Sequence, residues 1–285
     1  MLADVVLFLR CPHCGAGLEP NGRSLRCHTR HSFDVARQGY VNLLPGDARP
    51  GTGDTAEMVA ARERFLGTGH YTPVARLVAR EAARAVAGTA GGTDGPGCVV
   101  DVGAGTGYYL ARVLDELPDH VGLALDISKF ALRRAARAHP RIGAAVCDAW
   151  RPLPVRDAAA ALVLNVFAPR DGAEIRRILR PGGALVVVTP TPRHLAELVT
   201  MLELLSVDER KQERLEEKLG PHLEPVDRHT HEETMPLGHA DVEALVAMGP
   251  SAWHTDPAAL GARIAALPET LEVTLSVTVS VYRRP

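Results

Sequence analysis

Lysine is nearly missing from this 285-residue chain, with three lysines in a combined Lys and Arg total of 32. Arginine carries the positive charge instead, which reflects a GC-rich coding sequence and not a function. A net-charge surplus is missing as well, the formal value being −2, so no global field draws the chain to nucleic acid. Any such binding must come from local patches. No apolar run approaches the roughly 20 residues that span a bilayer, so no membrane partner is expected. Met1–Leu9 holds an acid and is too short for a signal core, so a cytoplasmic location is expected. Five cysteines are an odd number, and an intracellular chain of this length has no need of a disulfide framework. No internal repeat is visible. An apolar content of 46% is ample for a core, and the length suits one large domain with an appendage, or two domains.

Against these absences stands one dense run, Val99-Val-Asp-Val-Gly-Ala-Gly-Thr-Gly-Tyr-Tyr-Leu110. An apolar strand ends at Asp101, glycines alternate at Gly103, Gly105 and Gly107, and a helical pattern follows. A strand, a Gly-rich turn and a helix N-terminus make a nucleotide-sized crevice at the end of a parallel sheet. A dinucleotide site favours G-x-G-x-x-G to seat a pyrophosphate. The spacing here is G-x-G-x-G with an acid two residues before it, which resembles motif I of the class I S-adenosylmethionine (AdoMet) methyltransferases. Companion strands follow in order. Val121-Gly-Leu-Ala-Leu-Asp126 ends in a carboxylate that can accept ribose hydroxyls. Ala144-Ala-Val-Cys-Asp148 ends in an acid suited to an adenine amine. Ala161-Leu-Val-Leu-Asn165 ends in an amide, and Arg180-Pro-Gly-Gly183 precedes a fifth strand, Ala184–Thr189. Asp101, Gly103, Gly105, Thr106 and Gly107 are expected to border the methionine portion of the cofactor.

Three cysteines crowd the N-terminus as Cys11-Pro-His-Cys14 and Cys27-His-Thr-Arg-His31. The spacing C-x2-C-x12-C-x3-H places Cys11, Cys14, Cys27 and His31 as four ligands of a structural Zn2+. His13 and His28 are rivals for the fourth position. Asn21-Gly22 between the pairs predicts a type I′ hairpin turn. Cys98 and Cys147 fall in predicted strands and read as inert core residues.

Along the rest of the chain, Asp54 with Glu57 three later predicts a capped helix to about Leu66. Thr72 as N-cap with Pro73 behind it opens another, to about Val86. Residues 87–97 read as a low-complexity loop. Alternating strands and helices then run to Thr189, the pattern of a parallel α/β sheet. Pro192-Arg-His-Leu195 predicts a helix start, and residues 208–219 a solvated charged helix. A strand is expected within 224–236, and helices near 240–248 and 257–266. Residues 271–282 alternate strictly as a last strand, inserted antiparallel to complete a seven-stranded sheet.

Taken together, the zinc pattern, Gly39-Tyr-Val-Asn-Leu-Leu-Pro45, Gly53-Asp-Thr-Ala-Glu-Met58, Gly69-His-Tyr-Thr-Pro73, the glycine loop, Ala168-Pro169, Arg180-Pro-Gly-Gly183 and Thr191-Pro-Arg-His-Leu195 closely resemble the RlmA/TlrB family of 23S ribosomal RNA guanine-N1 methyltransferases. Asn165-Val-Phe-Ala-Pro-Arg170 and Met248-Gly-Pro-Ser-Ala-Trp-His254 resemble its Gram-positive, tylosin-resistance-like branch. The resemblance spans nearly the whole chain, with Thr106 standing where some relatives carry Glu. It implies a class I AdoMet-dependent methyltransferase fold, a Rossmann-like seven-stranded sheet with a small N-terminal zinc-binding domain. It also implies 23S rRNA as partner, a hairpin-loop guanine near the macrolide-binding exit tunnel as target, macrolide resistance as outcome, and a homodimer. The domains are then residues 1–38 for zinc and RNA, 39–86 as a helical link, and 87–285 for methyl transfer. Tyr71 and His194 are implied to line the cofactor pocket.

The chemistry is in-line attack of guanine N1 on the sulfonium methyl, so the protein mainly aligns the two and removes water. Guanine N1 is protonated at neutral pH, and a base or strong acceptor is expected near it. Asn165 is the expected catalytic residue, bonding the Watson–Crick edge. Phe167 is either a stacking platform for a flipped base or core, and Asp171 is a candidate base. Arg10, Arg23, Arg26, Arg30 and Arg37 are expected to read phosphates, with Arg133, Arg134, Arg137 and Arg141 as a second patch or an ordinary helix face. On this reading, removing residues 1–37 spares cofactor binding and abolishes RNA methylation. The alternative function is a small-molecule AdoMet methyltransferase, which gives no reason for a zinc ribbon.

Overall fold

The computed structural model describes residues 2–47, 53–88, 97–205, 210–249 and 257–285. Near the N-terminus, helix α1 (Leu2–Val5) leads to three short strands, β1 (Glu19–Asn21), β2 (Ser24–Arg26) and β3 (Ser32–Asp34), which pair as an antiparallel ribbon. Strand β4 (Tyr40–Asn42) leaves the ribbon, and helices α2 (Ala56–Gly67) and α3 (Thr72–Ala87) follow. Alternating units come next: β5 (Cys98–Val102), α4 (Tyr108–Glu116), β6 (Val121–Asp126), α5 (Lys129–Ala138), β7 (Ile142–Val146), β8 (Ala160–Val166), α6 (Gly172–Ile178) and β9 (Leu179–Pro190). Helices α7 (Ala196–Leu202) and α8 (Lys211–Leu219), strand β10 (Glu224–Gly238), helices α9 (His239–Ala247) and α10 (Pro257–Ala265), and strand β11 (Thr270–Arg283) close the chain.

The main sheet runs β10-β11-β9-β8-β5-β6-β7-β4. Strands β4 to β9 pair in parallel, whereas β11 is antiparallel to β9 and β10 antiparallel to β11. Every residue of β5, β7 and β8 is buried, which explains why these strands read as unbroken apolar runs. The expected seven strands are all present, and β4 adds an eighth from a stretch read as helical link. Tyr40–Asn42 lies parallel to β7 at the sheet edge.

Two apolar cores lie on opposite faces of this sheet. One packs α2, α3, α4, α5 and α9 through residues such as Phe65, Val78, Leu110 and Leu132. The other packs α6 and α8 through Ile175, Ile178, Leu215 and Leu219, together with Leu2, Val5, Leu9, Leu18, Leu25 and Phe33 of the N-terminal unit. The N-terminal unit is therefore not a tethered arm. Deleting residues 1–37 removes part of the packing on one face of the sheet, so such a truncation tests the stability of the fold as well as RNA recognition.

Several local expectations shift by a residue. Thr55, not Asp54, caps α2 by accepting from Met58 N–H, and Asp54 pairs with Arg62 at 2.7 Å instead. Tyr71 occupies the N-cap of α3, one residue before the expected Thr72. The ribbon turn is Gly22-Arg23 between the paired Asn21 and Ser24. Only its glycine has positive φ (61°), which fits a type II′ turn better than the expected I′. Arg180–Gly183 forms a bulge between the paired Leu179 and Ala184 of β9, not a plain helix stop. The helix expected at Pro192 starts later, at Ala196 behind a left-handed Leu195. Cys98 and Cys147 are core residues, and burial pushes both thiols up. Most of the 87–97 loop and Pro250–His254 lie outside the described residues.

Candidate active site and zinc centre

The C-terminal ends of β5, β6, β7 and β8 converge on one crevice, as parallel pairing requires. The glycine loop is tied to the end of β6, since Gly103 N–H and Ala104 N–H both donate to the Leu125 carbonyl, at 2.8 and 3.0 Å. Gly105 N–H donates to Asp126 Oδ2 and Ser128 N–H to Asp126 Oδ1, each at 2.8 Å. These bonds orient the Asp126 carboxylate while leaving lone pairs for two hydroxyls. Gly103 and Gly107 both have φ of 79°, where a side chain is strained. A Cβ on Gly103 would also lie 2.4 Å from Ala168 Cβ. The glycine loop and the loop after β8 are thus in direct contact.

Asp101 is 2% exposed, and its Oδ1 has no partner. Burial, and then the charge of Asp126, push its carboxyl up to about 8. An uncompensated buried carboxyl is costly unless a ligand satisfies it, and the ammonium of AdoMet is such a ligand. Asp126 is raised too, mainly by burial, although its two N–H donors oppose the shift. Asp148 is half-buried and accepts from Trp150 N–H at 2.9 Å. Thr106 is 9% exposed beneath the loop. Orphaned acid, oriented diol acceptor and glycine cradle together fit a sulfonium nucleoside.

Tyr71 and His194, 123 positions apart, meet at 3.3 Å between Oη and Nε2. Ser276 N–H donates to His194 Nδ1 at 3.3 Å. A ring nitrogen that accepts carries no proton, so the neutral imidazole keeps its proton on Nε2. That proton is donated to Tyr71, which leaves the phenol's own hydrogen to be donated elsewhere. Burial raises the phenol well above its ordinary range, which keeps it a donor. Phe167 stacks on His194, with centroids 5.9 Å apart and planes at 24°. It is 38% exposed, with φ of 53°. The structure therefore places Phe167 at the mouth of the site and not in the core.

Asn165 is fully buried. Its Nδ2 donates to the Val102 carbonyl at 3.2 Å and the Pro169 carbonyl at 2.8 Å, and its Oδ1 has no partner. The amide hydrogens are spent on closing the loop, and the one polar atom left without a partner is an acceptor. Asp171, the candidate base, caps α6 through one oxygen, Oδ1 accepting from Ala173 N–H and Glu174 N–H at 2.9 and 3.2 Å.

In the ribbon, the ligand atoms of Cys11, Cys14, Cys27 and His31 all lie within 4.8 Å of one another. Cys14 and Cys27 sulfurs are 3.8 Å apart, and His31 Nδ1 is 3.5 Å from both Cys11 and Cys27 sulfurs. Tetrahedral bonds of about 2.3 Å to sulfur and 2.0–2.1 Å to nitrogen require edges of this size. All four positions are protein ligands, so the Zn2+ is structural. His13 stacks on Phe33 instead (5.8 Å, 12°), and among the described residues neither it nor His28 joins the cluster.

The arginines divide by role. Arg23, Arg26, Arg30 and Arg37 are exposed on the N-terminal unit. Arg10 is taken up in structure, donating to the Leu153 carbonyl at 3.2 Å and pairing with Asp157 at 3.5 Å. Arg141 donates to the carbonyls of Leu114, Leu117, Pro118 and His120, and Arg134 pairs with Glu63. That favours the ordinary helix-face reading for the second group. Sequence reasoning missed Arg62, whose buried Nε has no partner while its Cδ lies 3.6 Å from a Cβ built on Gly105. An arginine among the buried Val59, Ala61, Phe65 and Leu66 of α2 was the available signal.

Fold and crevice define a class I AdoMet-dependent methyltransferase carrying a structural zinc ribbon. Family models agree. One described as "RlmA, N-terminal", a zinc ribbon, matches residues 9–49, and one described as "Methyltransferase domain" matches residues 99–183. The 23S rRNA (guanine(748)-N(1))-methyltransferase of Streptomyces fradiae is 56% identical over 283 residues, covering 99% of each chain. A putative 23S rRNA (guanine-N(1)-)-methyltransferase of Micromonospora griseorubida is 56% identical over 294 residues, again covering 99% of each. One from Bacillus subtilis is 32% identical over 203 residues, 68% of each. The chain belongs to the 23S rRNA (guanine-N1)-methyltransferase family.

Proposed function

We propose that this protein transfers a methyl group from AdoMet to N1 of a guanine in a hairpin loop of 23S rRNA, near the macrolide-binding exit tunnel, and so confers macrolide resistance. The observation that carries the reading is the contact between Gly103 and Ala168. It sets a cofactor cradle directly against a loop that presents a half-exposed aromatic ring and a buried, unpartnered amide oxygen. When bound, AdoMet supplies an electrophilic methyl on its sulfonium. Asp101, the glycine loop and Thr106 hold its methionine portion, Asp126 its ribose and Asp148 its adenine. Tyr71, held by His194, donates to its carboxylate, and Arg62 Nε lies on the same side.

The target base leaves its loop to reach the crevice and stacks on Phe167. Asn165 Oδ1 accepts a hydrogen bond from the guanine 2-amino group on the Watson–Crick edge, which leaves the N1 direction open to the methyl. An amide oxygen does not take the N1 proton, which passes to solvent before the attack and leaves the in-plane electron pair on N1 for the methyl. His194 does not take it either, because protonating Nδ1 would break its bond to Ser276.

Residues 1–38 read the RNA through Arg23, Arg26, Arg30 and Arg37, residues 39–86 link, and residues 87–285 carry out transfer, with two copies forming a homodimer. Replacing Arg23, Arg26 and Arg30 by Gln is expected to raise the KM for RNA without altering AdoMet affinity. The direct test is transfer of labelled methyl from AdoMet to 23S rRNA and not to small phenols. Transfer to phenols alone would return the assignment to small-molecule chemistry.

A further inference from the structure

Trp150 is 66% exposed, although an indole is among the most costly side chains to leave in water. It follows Asp148 by two residues and is anchored there through its backbone N–H. Lys218, one of only three lysines in the chain, sits with Nζ 5.5 Å from the centroid of its ring. The surroundings of this loop define its place. On one side Arg10 N–H donates to the Pro154 carbonyl at 3.0 Å and Arg10 Nε to the Leu153 carbonyl, which ties the loop to the zinc unit. On the other, Leu153 N–H donates to Glu174 Oε2 at 2.7 Å, which ties it to α6, the helix that begins where the Asn165–Arg170 loop ends. The loop that carries Trp150 is therefore tied to the zinc unit on one side and to α6 on the other.

We propose that Trp150 and Lys218 form a second nucleobase platform, on which an unpaired base of the substrate RNA stacks while Lys218 meets its phosphate. This rests on the RNA reading above. Exposed aromatics serve single-stranded RNA in this way because every base offers a π face, and a neighbouring cation adds the phosphate contact. The platform is distinct from Phe167, which takes the reacting base. It holds a flanking nucleotide and so fixes which loop base reaches the crevice.

The test uses the full-length zinc-loaded protein and an RNA hairpin from the modified region of 23S rRNA. Trp150→Ala is expected to weaken hairpin binding about tenfold, or about 1.4 kcal/mol, as loss of one stacked base does, with AdoMet affinity unchanged. Trp150→Phe should restore most of the loss, and Lys218→Gln should flatten the salt dependence of binding. In a Trp253→Phe background, hairpin addition should quench Trp150 fluorescence. Unchanged hairpin affinity in Trp150→Ala, with the wild type active, would overturn the platform alone. A loss of AdoMet affinity instead would mean that the indole covers the cofactor. A wild type that methylates no RNA would overturn the RNA reading and the platform with it.

Discussion

Asp101 faces the crevice as a carboxyl lifted to about 8 by burial and by Asp126, so in the free protein near neutral pH it is largely protonated. A cationic cofactor must displace that proton, at about 1.4 kcal/mol per pH unit below the pKa. AdoMet affinity should therefore rise between pH 6 and 8, and calorimetry in buffers of different ionisation enthalpy should show proton release. In Asp101→Asn the pH dependence should vanish, and a retained slope would assign it elsewhere. The same raised value makes the unliganded fold lose stability as pH climbs from about 4 to 8, because the folded state holds a proton that the unfolded state has released. Phe167 gives a second residue-scale expectation. Its left-handed backbone stores about 1–2 kcal/mol, which is tolerated only because the ring is held against His194. Phe167→Ala is expected to lower kcat/KM for RNA ten- to a hundredfold while AdoMet binds as before, measurable by single-turnover methylation and calorimetry.

At the scale of elements, the joint between glycine loop and acceptor loop is the point of greatest leverage. Gly103→Ala places a methyl 2.4 Å from Ala168 Cβ in a positive-φ position. It should depress both AdoMet binding and methyl transfer. Adding Ala168→Gly removes the clash but not the backbone strain, so partial recovery is expected in the double variant, and no recovery would mean that the two loops act independently. The strands that build this joint were legible in the sequence because β5 to β8 are continuous apolar runs ending in polar residues. The zinc ligands were legible from spacing alone. Strand β4 was not, since three residues, Tyr40–Asn42, carry no period that separates them from a link. The cap at Thr55 was displaced because Asp54 is an equally good local signal, and only the pairing of Asp54 with Arg62 decides between them; Tyr71 makes no side-chain cap bond, so nothing local marks it ahead of Thr72. The bond between Tyr71 and His194 spans two cores of sequence with no pattern connecting them, and the Ser276 amide that fixes the imidazole is invisible in any side-chain motif.

For the molecule as a whole, the zinc unit is part of the fold's stability. Leu9, Leu18, Leu25 and Phe33 share a core with Val100, Leu123 and Val187 of the sheet, so chelation should lower the melting temperature of the entire chain in one transition. A separate low-temperature transition confined to the ribbon would contradict that coupling. The most direct test of the central claim is primer extension on 23S rRNA treated with the protein and AdoMet. A methyl on guanine N1 blocks the Watson–Crick edge, so a single strong stop is expected next to one guanine of one hairpin loop, greatly reduced with Phe167→Ala. Full incorporation of label without any such stop would place the methyl on another atom and contradict the account.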